Sequence, residues 1–299
     1  MPRNRINIAL PSKDMQKQAV ELFKETRIGI RADSDRNSHV TFSGFHGLKG
    51  GSFMRSTDVA EFVASGEYDV GITTDEVIAE HGCTVKVLAP LGFSRNGRQT
   101  KVVLFAHKGS GIRCLADIPR GAKVRTEFYR LTKAFFRRHK MLRKVKLVVS
   151  RGSTETHVPY PYELGVCLMD SGQSLQEHGH RVVAVLMTSD TVFVANKEAY
   201  RDPAKREVIE DLLALLMGTV NARSMRVLKM NVPVAALPRI RKILPRRAGQ
   251  SPTINRLDDG SMVAVEYVVY INEINELKPK LKRAGATFIL VGKEESIIP

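Results

Sequence analysis

Short apolar runs alternate with segments of helical periodicity along the first two thirds of the chain. The clearest unit is residues 53–82, in which a helix capped by Ser56 or Thr57 ends at Gly66. A buried strand and the start of another helix follow it directly. Strand, helix, strand at this spacing predicts an α/β layer with largely parallel strands. The predicted strands are residues 5–10, 68–73, 84–91, 101–107, 122–128, 145–150, 167–169, 181–187 and 190–196, and the predicted helices are 14–25, 56–65, one from 75, 127–140 and 203–222.

The last 75 residues have a different pattern. Apolar runs and one-sided helical segments follow in the order strand, helix, strand, strand, helix, strand. This βαββαβ order is that of a ferredoxin-like unit, which has its own core. We therefore expect the C-terminal part to form a separate domain.

Composition adds a charge argument and excludes some classes. Hydrophobic residues make up 43% of the 299 residues, and Lys and Arg number 47 against 31 Asp and Glu, a net charge of +16. This balance favours polyanionic partners, either phosphorylated metabolites or nucleic acid. No apolar run approaches the ~20 residues of a membrane span, and the N-terminus lacks a secretory apolar core. We therefore expect a cytoplasmic protein.

Two features of the composition have ordinary interpretations. Cys83, Cys114 and Cys167 are widely spaced, which indicates neither a zinc site nor a disulfide framework. Residues 133–151 hold eight Lys or Arg and no acid. A solvated helix face followed by a strand explains this basic stretch, and a surface that attracts anions is the alternative.

Three turns after predicted strands carry the candidate chemistry. Asp170, Ser171, Gly172, Gln173 and Ser174 follow a strand and precede a short helix. Glycine permits close approach of a ligand, and free amide N–H groups with two hydroxyls bind phosphate.

The other two turns are residues 151–155 and the turn that holds Lys13. Open α/β sheets bind ligands at the carboxyl ends of their strands, so we expect all three turns to face one cleft. Glu155 is expected to face this cleft, and Glu163 and Asp170 are candidates to accept hydrogen bonds from a sugar diol. The alternative is that they are solvated loop acids.

Five blocks in the right order give the chain a family resemblance. They are IALPSK, RSTDVAEFVASGEYDVGITTDEVIAE, VRTEFYRLTKAFF, SDTVFVAN and the tail from MNVP to ATFILV. The chain resembles the long form of ATP phosphoribosyltransferase, the first enzyme of histidine biosynthesis. The resemblance implies a two-lobed, periplasmic-binding-protein-like catalytic region and a C-terminal ferredoxin-like (ACT-like) domain. It implies lobe I at residues 1–95 with 182–222, lobe II at 96–181, and the ACT-like domain at 224–299.

The segment YELGVCLMDSGQSL matches the family's motif for 5-phosphoribosyl pyrophosphate. Glu163 falls on the first acid of the motif, and Cys167 falls on the second, so one acceptor for ribose hydroxyls is replaced by a thiol. Asp170 is an added carboxylate beside the phosphate position. Two like charges about 5 Å apart repel by roughly 3 kcal/mol at an effective dielectric near 20. Asp170 therefore either turns towards the ribose or marks a site that no longer holds this substrate.

The resemblance implies attack of the ATP adenine N1 on the anomeric carbon, with release of pyrophosphate. It implies Lys13, Glu163 and Asp170 as catalytic residues. It implies a magnesium ion carried in by the substrate, with no protein metal site. The substrate-binding residues that the phosphate motif and the motif matches imply are Arg55, Asp75, Glu155, Ser171, Gly172, Gln173, Ser174 and Leu175.

The resemblance further implies a homo-oligomer, from dimer to hexamer, regulated by histidine near Gly285 and Ala286. An ordinary helix-to-strand turn explains these two small residues equally well.

Two other functions stay open. A catalytically degenerate homologue would bind a nucleotide or amino acid and regulate without catalysis, and the departures at Cys167 and at Asp14-Met15 favour it. If the site is active, we expect Cys167→Asp to raise turnover. A nucleic-acid binder that uses the basic stretch is less favoured, because no recognition motif accompanies it.

Overall fold

The computed structural model describes residues 5–32, 38–93, 100–258 and 260–298. The chain divides into two compact units, residues 1–213 and 214–299. The first unit contains two sheets and the second contains one. The predicted α/β class with a two-lobed region and a separate ferredoxin-like domain is confirmed.

The first sheet has seven strands in the order β2-β3-β4-β1-β5-β12-β6. Central strand β1 pairs in parallel with β4 and β5, whereas β12 is antiparallel to both β5 and β6. The strands are β1 (Ile6–Pro11), β2 (Gly29–Ala32), β3 (His39–Ser43), β4 (Leu48–Met54), β5 (Val70–Thr74), β6 (Lys86–Pro90) and β12 (Thr191–Ala195).

The second sheet has five strands in the order β11-β7-β10-β8-β9. β8, β9 and β10 are parallel, and β7 is antiparallel to its neighbours. The strands are β7 (Thr100–His107), β8 (Ala122–Thr126), β9 (Val145–Val149), β10 (Leu164–Met169) and β11 (His180–Ser189). In each sheet, the carboxyl edge is the boundary of the sheet at which the C-terminal ends of the parallel strands lie.

One predicted lobe boundary needs correction. Residues 182–189 were assigned to lobe I, but they form most of β11, which pairs along its whole length with β7 of the second sheet. The chain returns to the first sheet only at Thr191, where β12 begins. The boundary predicted between residues 95 and 96 lies outside the described residues.

Helices cover the sheets through one apolar side each. In α4 the buried residues are Thr132, Phe135 and Phe136, while the basic residues 137–140 are exposed. The basic stretch therefore begins as a solvated helix face, as its ordinary interpretation predicts. The helices are α1 (Gln16–Glu25), α2 (Ser56–Ser65), α3 (Asp75–His81), α4 (Tyr129–Arg138), α5 (Gln173–Glu177), α6 (Lys197–Arg201), α7 (Pro203–Ser224), α8 (Leu237–Ile243) and α9 (Ile274–Arg283).

The C-terminal unit has the predicted βαββαβ order. Its sheet runs β14-β15-β13-β16, and alternate residues of β15 are buried, as expected for a sheet covered on one face. Leu277 and Leu281 of α9 and Ile240 of α8 pack into the same core. The strands are β13 (Met225–Pro233), β14 (Thr253–Arg256), β15 (Met262–Tyr270) and β16 (Thr287–Gly292).

Three strands of the first sheet were not predicted. β2, β3 and β4 lie within residues 29–54, where the sequence is polar or rich in glycine. Gly51 shows why propensity fails here, because a Cβ at this position would lie 2.5 Å from the backbone oxygen of Ile8. Close approach of two backbones requires glycine, and glycine ordinarily weakens a strand.

Within the described ranges, no helix is both long enough and apolar enough to cross a membrane.

Candidate functional site

The carboxyl edges of the two sheets meet. One cavity of about 40 Å³ is lined by residues from both sheets. Met15, Ser56 and Thr74 lie at or just after the ends of strands of the first sheet. Thr100 and Leu168 belong to strands of the second sheet. Ligand pockets are typically about 300–1,000 Å³, so this cavity is smaller than a typical ligand pocket.

Three predicted residues lie together on the carboxyl edge of the first sheet. Lys13, Arg55 and Asp75 follow β1, β4 and β5, which are adjacent strands in the order β4-β1-β5. The side chains of Lys13 and Arg55 are exposed, and Lys13 has a positive φ of 58°. The structure therefore brings two cations and one carboxyl group to the edge that faces the second lobe.

Asp75 also holds the segment that crosses back from the second sheet. Its amide donates to the Asp190 carbonyl at 3.1 Å, and the Asp190 amide donates to its carboxylate at 3.2 Å. Burial raises the pKa of Asp75, the bond from the Asp190 amide opposes this, and the Asp190 charge adds to it. Next to it, the buried Glu76 accepts a hydrogen bond from the Ser189 hydroxyl. These contacts position the crossover at the cavity.

The predicted phosphate bend, Ser171–Ser174, lies on the carboxyl edge of the second sheet. Gly172 has a φ of 78°, the left-handed conformation that favours glycine. Ser171, Gln173 and Ser174 are exposed, and the Ser171 hydroxyl accepts the Gln173 amide at 3.3 Å. The side chain of Leu175 is buried in the core, so only its backbone can contact a ligand. Since α5 has only five residues, its dipole contributes little, and the bend itself must provide the donors.

A thiol and two carboxylates lie together beside this bend. Cys167, in central strand β10, is 3% exposed and lies next to the Glu155 carboxylate, which can accept a hydrogen bond from the thiol. Burial and the negative charges of Glu155 and Glu127 raise the pKa of the Cys167 thiol far above its usual value. The thiol is therefore neutral and can donate a hydrogen bond.

Glu155 lies in a short 3₁₀ turn, Thr154–His157, that covers one face of the second sheet. The buried Thr154 hydroxyl donates to the Glu127 carboxylate at 2.8 Å and lies 3.0 Å from the Ser150 hydroxyl. Arg125 donates to the same Ser150 hydroxyl at 3.0 Å. The residues after β8 and β9 thus hold the turn that carries Glu155.

Glu163 does not belong to this site, which corrects the predicted catalytic role. It precedes β10, whereas the phosphate bend follows the same strand. Six strand residues at about 3.3 Å each separate the two ends by roughly 20 Å. The Glu163 carboxylate accepts the Lys123 amide at 2.7 Å on the opposite edge. A single ribose therefore cannot contact both Glu163 and Asp170, and the half-buried Asp170 alone lies at the bend.

Gly285 and Ala286 lie in the C-terminal unit at the end of α9. Gly285 has a φ of 104°, and Ala286 is 4% exposed in the core. Their amides donate to the carbonyls of Lys282 and Leu281, which closes the helix. Turn geometry and packing thus account for both small residues, and their contact with an effector stays a prediction.

A second contact joins the lobes beside the cleft. The Glu80 carboxylate, near the end of α3, accepts the amides of Arg130 and Leu131 in the first turn of α4, both at 3.0 Å. In return, the Arg130 guanidinium donates to the His81 carbonyl at 2.9 Å. We call this pair of contacts the α3–α4 latch. The latch thus gives hydrogen-bond partners to amides at the start of α4 and to a carbonyl at the end of α3, each from the other lobe.

We expect Glu80→Ala to weaken the latch and to destabilise the first unit by about 1–2 kcal/mol, because two amides of α4 lose their acceptor. Thermal unfolding should then shift down by about 4 °C. Glu207→Ala is the matched control, since Glu207 is an exposed helix residue of the same unit. An equal shift in both variants would contradict the latch.

Several residues of the site were not predicted. They are Arg125, Glu127 and Ser150, together with the contact between Cys167 and Glu155. The sequence contained a signal for Glu127. In the block VRTEFYRLTKAFF it directly follows a strand, and the other candidates also follow strands. The contacts of Thr154 and Ser150 join separate turns, and sequence spacing does not predict them.

Comparisons with known proteins agree along the chain. The model of the ATP phosphoribosyltransferase family matches residues 55–218, and the model of the HisG C-terminal domain matches residues 222–293. An ATP phosphoribosyltransferase from Methanothermobacter thermautotrophicus is 33% identical over 99% of this chain and 100% of its own length. Another, from Methanocaldococcus jannaschii, is 35% identical over 82% of this chain and 84% of its own.

A solved structure supports the fold. The ATP phosphoribosyl transferase (HisG:HisZ) complex from Thermotoga maritima aligns with 72% of this chain and 98% of its own, at a TM-score of 0.60 and 20% identity. Because one family model covers more than half of the residues and a relative above 30% identity spans nearly all of them, the family is established. This chain belongs to the ATP phosphoribosyltransferase family.

Proposed function

We propose that this protein transfers the phosphoribosyl group of 5-phosphoribosyl pyrophosphate to N1 of ATP, giving phosphoribosyl-ATP and pyrophosphate. This is the first step of histidine biosynthesis. The observation that carries the proposal is the meeting of two carboxyl edges, one followed by Lys13 and Arg55 and the other by the phosphate bend. Family membership supports the same reaction.

The phosphate bend is the proposed site of the sugar 5-phosphate. Ser171 and Ser174 supply hydroxyls, and the left-handed Gly172 lets amide N–H groups approach the anion closely. Donors fixed before the substrate arrives stabilise charge without reorganisation. Gln173 is committed in part to Glu177, whose carboxylate accepts its side-chain amide at 2.7 Å.

The carboxylates beside the bend are the proposed acceptors for the ribose hydroxyls. Glu155 replaces Glu163 in this role, because it lies beside Cys167 in β10. Glu127 shares the same pocket through Thr154, and Asp170 is a third acceptor at the bend. Held in this way, the anomeric carbon faces the first lobe, from which the adenine would attack.

Lys13 and Arg55 are the proposed contacts for the phosphates of the nucleotide, since both are exposed cations on the facing edge. Two polyanionic substrates must approach each other, so screening of charge is a large part of the catalysis. A magnesium ion would enter with the pyrophosphate and neutralise part of its charge. In the described ranges, no three His, Cys, Asp or Glu side chains form a group that holds a metal.

The C-terminal unit is the proposed regulatory domain. Histidine is the proposed effector, at a place near Gly285 and Ala286, and the protein is proposed to act as a homo-oligomer between dimer and hexamer. One substrate is a nucleotide and the other is a phosphorylated sugar, both metabolites of the cytoplasm, which is therefore the proposed location. Inhibition by histidine that disappears after removal of residues 225–299 would support this division of labour.

A non-catalytic binder is the second candidate function. The buried, neutral thiol of Cys167 favours it, because the family motif has a carboxylate at this position. Such a protein would bind the sugar diphosphate or ATP without forming the adduct.

We expect the wild-type protein, given 5-phosphoribosyl pyrophosphate, ATP and Mg²⁺, to form phosphoribosyl-ATP, detected by its absorbance and by mass. Omission of either substrate is the control. Binding of both substrates by calorimetry with no adduct would favour the second candidate, and absence of both binding and adduct would contradict the proposed function.

A further inference from the structure

His180 contacts the site residue Glu155 on the face of the second sheet that the Thr154–His157 turn covers. It begins β11 and is 2% exposed. Its Nε2 lies 2.9 Å from the Glu155 carbonyl oxygen, and the two residues are 25 positions apart in the sequence. A carbonyl only accepts, so the imidazole N–H donates this bond.

The bond completes a two-sided attachment of the Thr154–His157 turn. On one side, Thr154 is attached to Glu127 and Ser150, which follow β8 and β9. On the other side, His180 attaches the Glu155 carbonyl to β11, at the opposite end of the strand order β11-β7-β10-β8-β9. Central strand β10, with Cys167, runs beneath Glu155.

We infer that His180 is a positioning residue that fixes the main chain at Glu155, so that its carboxylate stays over Cys167 at the ribose pocket. This inference rests on the proposed function for its kinetic readout. The side chain of His180 contacts neither substrate in the proposed site. Its proposed role rests on the hydrogen bond to the Glu155 carbonyl.

The surroundings of His180 favour a neutral ring in one tautomer. Its ring centroid lies 4.9 Å from Phe105, 5.9 Å from His107 and 6.1 Å from His178. Burial lowers the pKa of His180, and the bond to Glu155 opposes this. The charges of His107 on β7 and of His178, which follows α5, lower the pKa further, and the charge of Glu155 raises it. Nδ1 is buried and has no hydrogen-bond partner among the residues that the structure describes, which a ring nitrogen without a proton tolerates better than an N–H group.

Loss of this bond should affect one substrate. Glu155 faces the ribose of 5-phosphoribosyl pyrophosphate in the proposed site, whereas ATP binds to the first lobe. A displaced turn therefore raises KM for the sugar diphosphate and leaves KM for ATP unchanged. A general loss of folded protein lowers kcat and changes neither KM, so the two effects are separable.

The test compares two variants that differ in one donor. His180→Gln places an amide N–H near the position of Nε2 and keeps the bond, whereas His180→Phe keeps the ring volume and removes the donor. We expect the Phe variant to raise KM for 5-phosphoribosyl pyrophosphate about tenfold, with KM for ATP unchanged, and the Gln variant to stay within about threefold of wild type. His107→Asn is the control, since its side chain can still accept the Gly109 amide that His107 accepts.

Amide hydrogen exchange gives a readout that needs no activity. Exchange of residues 154–158 should be at least tenfold faster in the Phe variant than in the Gln variant or wild type. Equal exchange and equal KM values in both variants would overturn the inference. An inactive wild type would refute the proposed function, and the exchange comparison would still decide the role of His180. His180→Leu replaces the Phe variant if the latter does not fold.

Discussion

Glu155→Gln should lower kcat/KM for 5-phosphoribosyl pyrophosphate by about 10- to 100-fold, while Glu163→Gln should leave it within about twofold. A hydrogen bond from a substrate hydroxyl to a carboxylate contributes about 1.5–3 kcal/mol, and each 1.36 kcal/mol changes the rate tenfold. Glu155 lies beside Cys167, the fourth of the six residues of β10, whereas Glu163 accepts the Lys123 amide at the amino end of that strand. Steady-state kinetics with each substrate varied in turn measures both effects.

The two substitutions are a matched pair, because each replaces one half-buried carboxylate with its amide isostere. Glu163→Gln keeps an oxygen that accepts the Lys123 amide. A large loss in this variant with no loss in Glu155→Gln would place the ribose at the other edge. The structural assignment of the site would then be wrong.

Cys167→Asp should destabilise the protein by about 3 kcal/mol rather than raise turnover. The thiol is 3% exposed and its neighbours include the carboxylates of Glu155 and Glu127. A new carboxyl group here loses its hydration and meets two like charges, and an uncompensated buried charge costs about 3–5 kcal/mol. Thermal unfolding at neutral pH should shift down by about 6–12 °C. The buried position of Cys167 between these carboxylates therefore favours a loss of stability over the gain in turnover that the motif match predicts.

The sign of the pH dependence follows from linkage. Burial and the two carboxylates raise the pKa of the new carboxyl group above its ordinary value of about 3.9. Between the two values the folded state binds more protons than the unfolded state, so the penalty grows as pH rises and shrinks as pH falls towards 4. The difference in unfolding temperature between variant and wild type should therefore be smaller at pH 4.5 than at pH 7.5.

Two controls separate charge from packing. Cys167→Ala removes the sulfur without adding charge and should cost about 1 kcal/mol. Cys167→Ser keeps a donor for Glu155. A Cys167→Asp variant as stable as Cys167→Ala, with higher turnover, would instead show that the pocket admits water and holds a third carboxylate.

Much of the fold followed from local patterns. The alternation of apolar runs and one-sided helices predicted the layered first unit, and the βαββαβ order predicted the C-terminal sheet. Both depend on side-chain periodicity, which each segment carries by itself. β4 was not predicted because its glycines are required by close packing against a neighbouring strand, and strand propensity does not reflect such a contact. Gly51, which lies against the backbone of Ile8, is the example.

For the candidate site, the sequence identified which residues carry the chemistry. It did not identify the end of β10 at which each residue lies. Ser171, Gly172 and Ser174 were predicted at a strand end, and the structure places them there. Glu163 was grouped with Asp170 because the motif places both in one segment. An intervening strand of six residues nevertheless puts them on opposite edges of the sheet.

By itself, the sequence determined the class of fold, the order of elements and the turns that follow strands, because these depend on periodicity and turn chemistry within short windows. Only the tertiary structure decided which turns share a pocket. It placed Glu155 over Cys167, joined Thr154 to Glu127, and brought His180 to the Glu155 carbonyl. Strand order and register set these contacts, and pairing between distant segments leaves no local pattern to read.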